Sequence, residues 1–206
     1  MEKIKFTSPK GNMKWSFISG LGKETEANSG KYKYSVVISV PEAEAKEAMK
    51  IIDDFWTENK PKGAKARPKT KAYKLEENEE TGEPTGNVYF SFSTPTTYGN
   101  TGDKKQIKIF TAKTPVREVS LGDKKIGEES LGRGMGVLSM YEFNGSHGTT
   151  LYLDAISLSK FVEYSGGGAS SDDVVTDDDA EDIDLGETVV GTEAVQEEDD
   201  IETPRV

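Results

Sequence analysis

The chain has 206 residues, a formal net charge of −11, a hydrophobic content of 33% and no cysteine. The absence of cysteine excludes disulfides, thiolate metal sites and cysteine nucleophiles. No stretch has the roughly 18 consecutive apolar residues that a transmembrane helix needs. The charges near Met1 are not followed by the apolar segment of a signal peptide, so we expect neither membrane association nor export.

Charge and aromatic content divide the chain into two parts. Residues 1–168 carry 25 basic and 22 acidic side chains, whereas residues 169–206 carry 1 and 15, and all the aromatic residues lie in the first part. A segment this acidic and without aromatic residues does not bury a core. We therefore predict a folded domain over residues 1–165, then a flexible glycine hinge and a disordered acidic tail over residues 166–206. The acidic runs of the tail contain Asp172, Asp173, Asp177, Asp178, Asp179, Glu197, Glu198, Asp199 and Asp200.

Short segments in which polar and apolar residues alternate predict a mainly β protein. In one of them Tyr34, Val36 and Ile38 share one face, while lysine and serine residues occupy the other, as in a half-buried strand. The predicted strands are, in chain order, Ile4–Thr7, Trp15–Ile18, Tyr32–Val40, Val88–Thr94, Gln106–Thr111, Gly136–Phe143 and Leu151–Tyr164.

One helix is predicted from Pro41 to about Asn59, because apolar residues recur there at spacings of three and four. Pro41 suits the first helical position, and Pro61 ends the run. A single helix among many short strands favours an oligonucleotide-binding (OB) fold over an all-β sandwich. The expected form is a partly open five-stranded barrel with extra hairpins and one helix. The apolar stripe of the helix comprises Ala45, Ala48, Met49, Ile52, Phe55 and Trp56.

The segment Lys60–Lys74 is strongly basic and contains no acidic residue. One interpretation is an arm that follows the backbone of a nucleic acid. The alternative is a solvated linker between the helix and the next strand. The residues of this segment that we assign to phosphate contact are Lys62, Lys65, Arg67, Lys69, Lys71 and Lys74.

Aromatic residues also alternate with cations elsewhere in the body. Cationic grooves with aromatic rings hold single strands, because the rings stack on bases and the cations pair with phosphates. Core packing is the alternative for each ring. Tyr89 and Phe110 are the better candidates, since their strand neighbours already supply the inward-facing set. The predicted contacts are Lys31, Lys33, Lys104, Lys105 and Lys108 to phosphates, and Tyr32, Tyr73, Tyr89 and Phe110 to bases.

The glycine-rich segment Gly132–Gly136 precedes a strand and lacks the βαβ setting of a dinucleotide-binding loop. One interpretation of its glycines is that the backbone bends or approaches another segment closely there, with Arg133 available to a phosphate; the alternative is a bulge at a barrel corner. Catalytic signatures are weak. His147, the only histidine, lies in a predicted loop, and the acidic residues form no recognisable metal-ligand set. We expect no metal, no cofactor and no enzymatic activity.

Several features occur in a characteristic order: Lys31–Pro41 before the helix, Tyr141-Glu142-Phe143-Asn144 before a short loop, Leu151–Tyr164 as the last strand, and Gly166-Gly167-Gly168 before the acidic tail. In this order the chain resembles the single-stranded DNA-binding proteins encoded by tailed bacteriophages, over most of its length. The resemblance implies one OB-fold domain followed by an acidic tail. It also implies a protein of the cytoplasm of the bacterial host.

The resemblance further implies that Tyr141 stacks on a base with Phe143 near it. It implies that the tail recruits replication proteins such as a polymerase, a helicase or a nuclease. Two features depart from the phage proteins. The sequence ends in Pro204-Arg205-Val206, where the phage proteins end in an aromatic residue, and the basic segment Lys60–Lys74 is denser than theirs.

We therefore expect a protein that coats single-stranded DNA without sequence preference, in phage DNA replication, recombination or repair. Its acidic tail, tethered beside a cationic groove, is expected to compete with DNA. The alternative is a β-sandwich interaction or virion protein that binds sugar or protein, in which the aromatic residues are core. The sequence is compatible with a monomer, with a homodimer formed by tail exchange and with a cooperative filament.

Overall fold

The computed structural model describes residues 2–27, 29–64, 71–78 and 80–164. Within these ranges the chain forms nine strands and one helix. They are β1 (Lys3–Thr7), β2 (Gly11–Phe17), β3 (Lys23–Glu24), β4 (Tyr32–Pro41), α1 (Glu42–Asn59), β5 (Tyr73–Glu77), β6 (Pro84–Pro95), β7 (Lys108–Thr111), β8 (Leu131–Phe143) and β9 (Ser146–Lys160).

Five of the strands close into a barrel. Strands β2, β4, β6, β9 and β8 are neighbours in this order, and β8 pairs again with β2. All these pairs are antiparallel except β6 and β9, which run parallel and share a single register position, Phe92 opposite Leu151. The predicted mainly β fold, an OB-type five-stranded barrel with one helix, is therefore confirmed. The predicted tail lies outside the described residues.

The core is built from alternating strand positions and one face of the helix. On β4 the side chains of Tyr34, Val36, Ile38 and Val40 are buried. Helix α1 packs against the barrel with the predicted stripe, of which Met49 is only partly buried. Pro41 is the residue before the first helical turn and keeps an extended backbone, with φ −52° and ψ 135°. The buried residues of the stripe are Ala45, Ala48, Ile52, Phe55 and Trp56.

The glycines of β8 allow close approach between barrel strands, as the sequence predicted. A Cβ atom at Gly136 would lie 1.8 Å from the carbonyl oxygen of Tyr152 on β9. A Cβ atom at Gly134 would lie 2.5 Å from the Phe92 ring in the core. Glycine is therefore required at Gly136, where β8 lies close to the backbone of β9, and at Gly134, where the Phe92 ring of β6 packs against β8.

Two short strands were not predicted from the sequence. Strand β3 has two residues, and β5 contains three charged residues in its five positions. Both are held by pairing with a long neighbour, β3 with β4 and β5 with β6. Strand β6 also begins earlier than predicted, at Pro84 rather than Val88. Within the described ranges, no helix is both long and apolar enough to cross a membrane.

Candidate nucleic-acid interface

The outer face of the barrel wall formed by β2, β4 and β6 carries small side chains at its centre. Ser35 lies opposite Ser93, and Val37 lies opposite Ser91, in the register of β4 and β6. These residues alternate with the buried ones, so their side chains point away from the core. Larger side chains surround this floor, and they form two groups.

The first group surrounds a groove at the seam where the barrel closes. Two depressions, of about 720 and 310 Å³, meet at Ser93 of β6 and Tyr152 of β9, which line both. We call the two together the Tyr152 groove. Ser93 and Tyr152 directly follow Phe92 and Leu151, the one residue pair that joins β6 to β9. Because these strands meet at one position only, their outer faces leave an open channel, and the side chain of Tyr152 is 38% exposed in it.

Three lysines line the larger depression without compensating acids. Lys31 and Lys33 approach it from the start of β4, and Lys104 from the loop between β6 and β7. Within the described part of the chain, none of these three lysines forms an ion pair. Lys105 lies close by, with its Nζ 3.0 Å from the Thr94 hydroxyl. The depression therefore combines positive charge with an exposed aromatic ring.

The groove brings together part of the set predicted from the sequence. Tyr32, Lys31, Lys33 and Lys104 line the larger depression, and Tyr141 and Lys71 line the smaller one. Tyr32 and Tyr141 are both half-buried. Lys71 is ion-paired, since its Nζ lies 2.9 Å from Asp53.

Tyr152 was missed by the sequence analysis. It stands between Leu151 and Leu153, which are both buried. The alternation argument that favoured Tyr89 and Phe110 applies equally to Tyr152, and it would have found this residue.

The structure does not support the predicted stacking of a base on Tyr73. Its side chain is only 9% exposed, and its ring centroid lies 6.4 Å from that of Phe90 in the core. It pairs with Phe90 in the β5–β6 register and therefore faces inward. Its hydroxyl donates to Asp53 Oδ2 at 2.8 Å and accepts from Lys71 Nζ at 2.8 Å. Tyr73 thus offers no free ring face to a base.

Other predicted residues lie outside the groove, and a DNA contact for them stays a prediction. Phe110 is half-buried on β7. On the same strand, the Nζ of Lys108 lies 3.6 Å from the Oε2 of Glu118. Arg133 is exposed and donates to the carbonyl oxygen of Ser8 at 3.2 Å. Exposed positions outside the groove also include Lys62 and Lys74. The predicted residues outside the described structure are Lys65, Arg67, Lys69, the side chain of Phe143 and all those of the acidic tail.

The second group on the outer face consists of Trp15, Tyr89, Lys14 and Glu76, which we call the Trp15 cluster. The rings of Trp15 and Tyr89 meet edge to face, with centroids 5.5 Å apart and an angle of 80°. The Lys14 Nζ lies 5.3 Å from the centre of the Tyr89 ring. Trp15 is 47% exposed and was not among the predicted contact residues.

A buried carboxylate fixes this cluster. Lys14 Nζ donates to Glu76 at 2.9 Å, and the Tyr89 hydroxyl donates to the same carboxylate oxygen. Burial by itself raises the pKa of the Glu76 carboxyl. The hydrogen bonds outweigh this effect and lower the pKa from 4.5 to about 2; their donors are Tyr89, Lys14, Asn87 and Thr85. The tyrosine ring is therefore held in place by a charged, hydrogen-bonded anchor.

Solved structures of phage single-stranded DNA-binding proteins share this fold. The single-stranded DNA-binding protein gp2.5 of bacteriophage T7 is 14% identical over 84% of this chain and 98% of its own, with a TM-score of 0.56. The single-stranded DNA-binding protein of bacteriophage Enc34, in complex with ssDNA, is 16% identical over 80% of this chain and 89% of its own, with a TM-score of 0.57. A C-terminal truncation of the Enc34 protein gives 14% identity over 78% and 87%, with a TM-score of 0.56. No family model and no curated protein matches the chain by sequence.

The Glu76 anchor predicts a specific loss of stability in acid. The pKa of Glu76 in the folded protein lies below the unfolded value of 4.5. The ionised carboxylate therefore makes its full contribution to stability above pH 4.5. That contribution, on the order of 3 kcal/mol, is lost as the pH falls from 4.5 towards 2. Urea unfolding at a series of pH values should show this loss in the natural protein and not in Glu76→Gln. The exposed neighbour variant Glu77→Gln should behave like the natural protein. Parallel pH curves for the natural protein and Glu76→Gln would contradict the assignment.

Proposed function

We propose that this protein binds single-stranded DNA along the Tyr152 groove, without sequence preference. The observation that carries the proposal is the exposed ring of Tyr152 in an open channel, flanked by Lys31, Lys33 and Lys104, which have no acidic partner in the described structure. An exposed ring can stack on a base, and unpaired lysines can neutralise phosphates.

The chemistry of the groove favours single strands over duplex. In a duplex the faces of the bases are stacked on each other, whereas a single strand can offer them to a tyrosine ring. Every base has a π-face, so such stacking tolerates any sequence. The proteins of phages T7 and Enc34 that share the fold are both described as single-stranded DNA-binding proteins, which supports the proposal.

The proposed biological role is to coat single-stranded DNA during phage replication, recombination or repair in the cytoplasm of the bacterial host. Binding of this kind needs no cofactor and no catalysis, because stacking and ion pairing supply the affinity. Within the described residues, no three acidic or histidine side chains come together as a metal site.

The acidic segment after Gly168 adds a regulatory element to the proposal. It carries 15 acidic residues and one basic residue, whereas the rest of the chain is net positive. Tethered through a glycine hinge, it competes with DNA for the lysines of the groove at an effective concentration on the order of millimolar. DNA displaces the tail and makes it available to a replication protein, so that coating and recruitment are coupled.

Replacement of Tyr152 tests the groove. Tyr152→Ala should weaken binding to oligo-dT by about 5- to 150-fold, the effect of losing one stacked base. Tyr152→Phe should retain most of the affinity, because it keeps the ring. Tyr164→Ala is the matched control, since Tyr164 is 53% exposed but does not line the groove. Fluorescence anisotropy of labelled oligo-dT measures all four proteins. Equal affinities for Tyr152→Ala and the natural protein would contradict the proposal.

Removal of residues 169–206 tests the competing tail. The truncated protein should bind oligo-dT more tightly than the full chain, and most clearly at low salt, where charge competition is strongest. A full-length variant with asparagine in place of Asp172, Asp173 and Asp177–Asp179 should shift in the same direction, which separates charge from chain length. Unchanged or weaker binding after truncation would contradict competition by the tail. DNA binding in the Tyr152 groove is tested separately, by the Tyr152 variants.

A further inference from the structure

Trp15 occupies an unusual backbone position. Strand β2 has two residues, Trp15 and Ser16, where β4 has only Val36, because Lys14 pairs with Val37 and Phe17 with Ser35. At this bulge Trp15 has φ +47°, a left-handed conformation that a bulky residue rarely adopts. The bulge turns the indole outward over β4, so that its ring reaches Tyr89 on β6 while remaining 47% exposed. A strained position that directs a large ring to solvent points to a function for that ring.

The surroundings of Trp15 suit a nucleic-acid strand. Lys14 is adjacent in sequence, and Lys74 lies opposite Tyr89 in the β5–β6 register. Lys74 is exposed and forms no ion pair in the described part of the chain. Glu76, the one acid in the cluster, is buried against Lys14 and Tyr89 and offsets the charge of Lys14, so that Lys74 is the lysine of this surface without an acidic partner among the described residues. An indole beside an unpaired lysine is a combination that holds single strands.

The Trp15 cluster is continuous with the Tyr152 groove. Tyr89, Ser91 and Ser93 are alternate residues of β6 and share its outer face, and both serines line the smaller depression. Tyr89 is four residues from Ser93, or about 13 Å along the strand. The floor between them is formed by small side chains, including Val37 and Ser35 of β4. A strand that lies in the groove can therefore continue over this floor to the indole without crossing a bulky side chain.

We propose that Trp15, supported from the side by the anchored ring of Tyr89, is a second stacking platform for the same single strand. The path of the nucleic acid then runs from the β6–β9 seam along β6 and across β4 to the bulge of β2. This inference rests on the proposed function, since it names a further contact of the same ligand. It assigns a DNA contact to a residue that lies outside the Tyr152 groove.

Tryptophan fluorescence of the full chain tests the platform directly. The protein contains two tryptophans, and Trp56, on the core-facing side of α1, is only 3% exposed, so it serves as an internal reference. Oligo-dT should quench the emission of the natural protein. In Trp15→Phe the remaining emission should be insensitive to oligo-dT, while the affinity measured by anisotropy is largely kept, because phenylalanine can still stack.

A second variant separates binding from folding. Glycine accepts φ +47° without strain, so Trp15→Gly should have a melting temperature equal to or above that of the natural protein. Its affinity for oligo-dT should nevertheless fall by about 5- to 150-fold. The loss should grow with oligonucleotide length, because only longer strands reach from the groove to the platform.

The outcomes distinguish the platform from the function on which it rests. Natural affinity in Trp15→Gly overturns the platform, and so does quenching that persists in Trp15→Phe. Binding that depends on Tyr152 but leaves Trp15 emission unchanged overturns the platform and leaves the proposed function intact. If anisotropy shows no binding of oligo-dT to the natural protein, both the proposed function and the stacking role of Trp15 are contradicted.

Discussion

The seam between β6 and β9, where the barrel closes, determines where the open surface of the structure lies. These strands run parallel and share only the position of Phe92 and Leu151, whereas β8 and β9 pair through almost their whole length. The ring of Phe92 fits at the seam because Gly134 leaves room for it. Strand β9 is thus paired with β8 along most of its length and with β6 at one position only. The barrel is closed in its core, and an open channel remains on its outer face.

The same geometry explains why the candidate contacts lie where they do. At the seam, Tyr152 follows a buried leucine and therefore points outward into the channel. Along β6 the outward residues continue from Ser93 to Tyr89, whose hydroxyl is anchored on Glu76. One wall of the barrel thus presents aromatic rings near both ends of a floor of small side chains. Lysines flank both ends, which makes this wall suited to a flexible polyanion with exposed bases.

Much of the fold was predictable because its signals are local. The apolar stripe of α1 and the alternation of β4 identify the core residues on those two elements from the sequence alone. Strands β3 and β5 were missed since neither has a strand-like composition, and both depend on pairing with longer neighbours. The proposed interface was predictable only in part. The orientation of Tyr73 toward the core depends on the β5–β6 register, which the residue type does not predict. The exposure of Trp15 depends on the bulge of β2, which the residue type does not predict either.

Single-strand binding is tested by the anisotropy of labelled oligo-dT and of a labelled duplex of equal length with the full chain, across a salt series. The single strand should bind in preference to the duplex. With about five phosphates neutralised, the logarithm of the affinity should fall against that of the salt concentration with a slope of roughly −3.5. Binding of neither nucleic acid, or tighter binding of the duplex, would contradict a single-strand-binding function and favour an interaction protein whose lysines only keep it in solution.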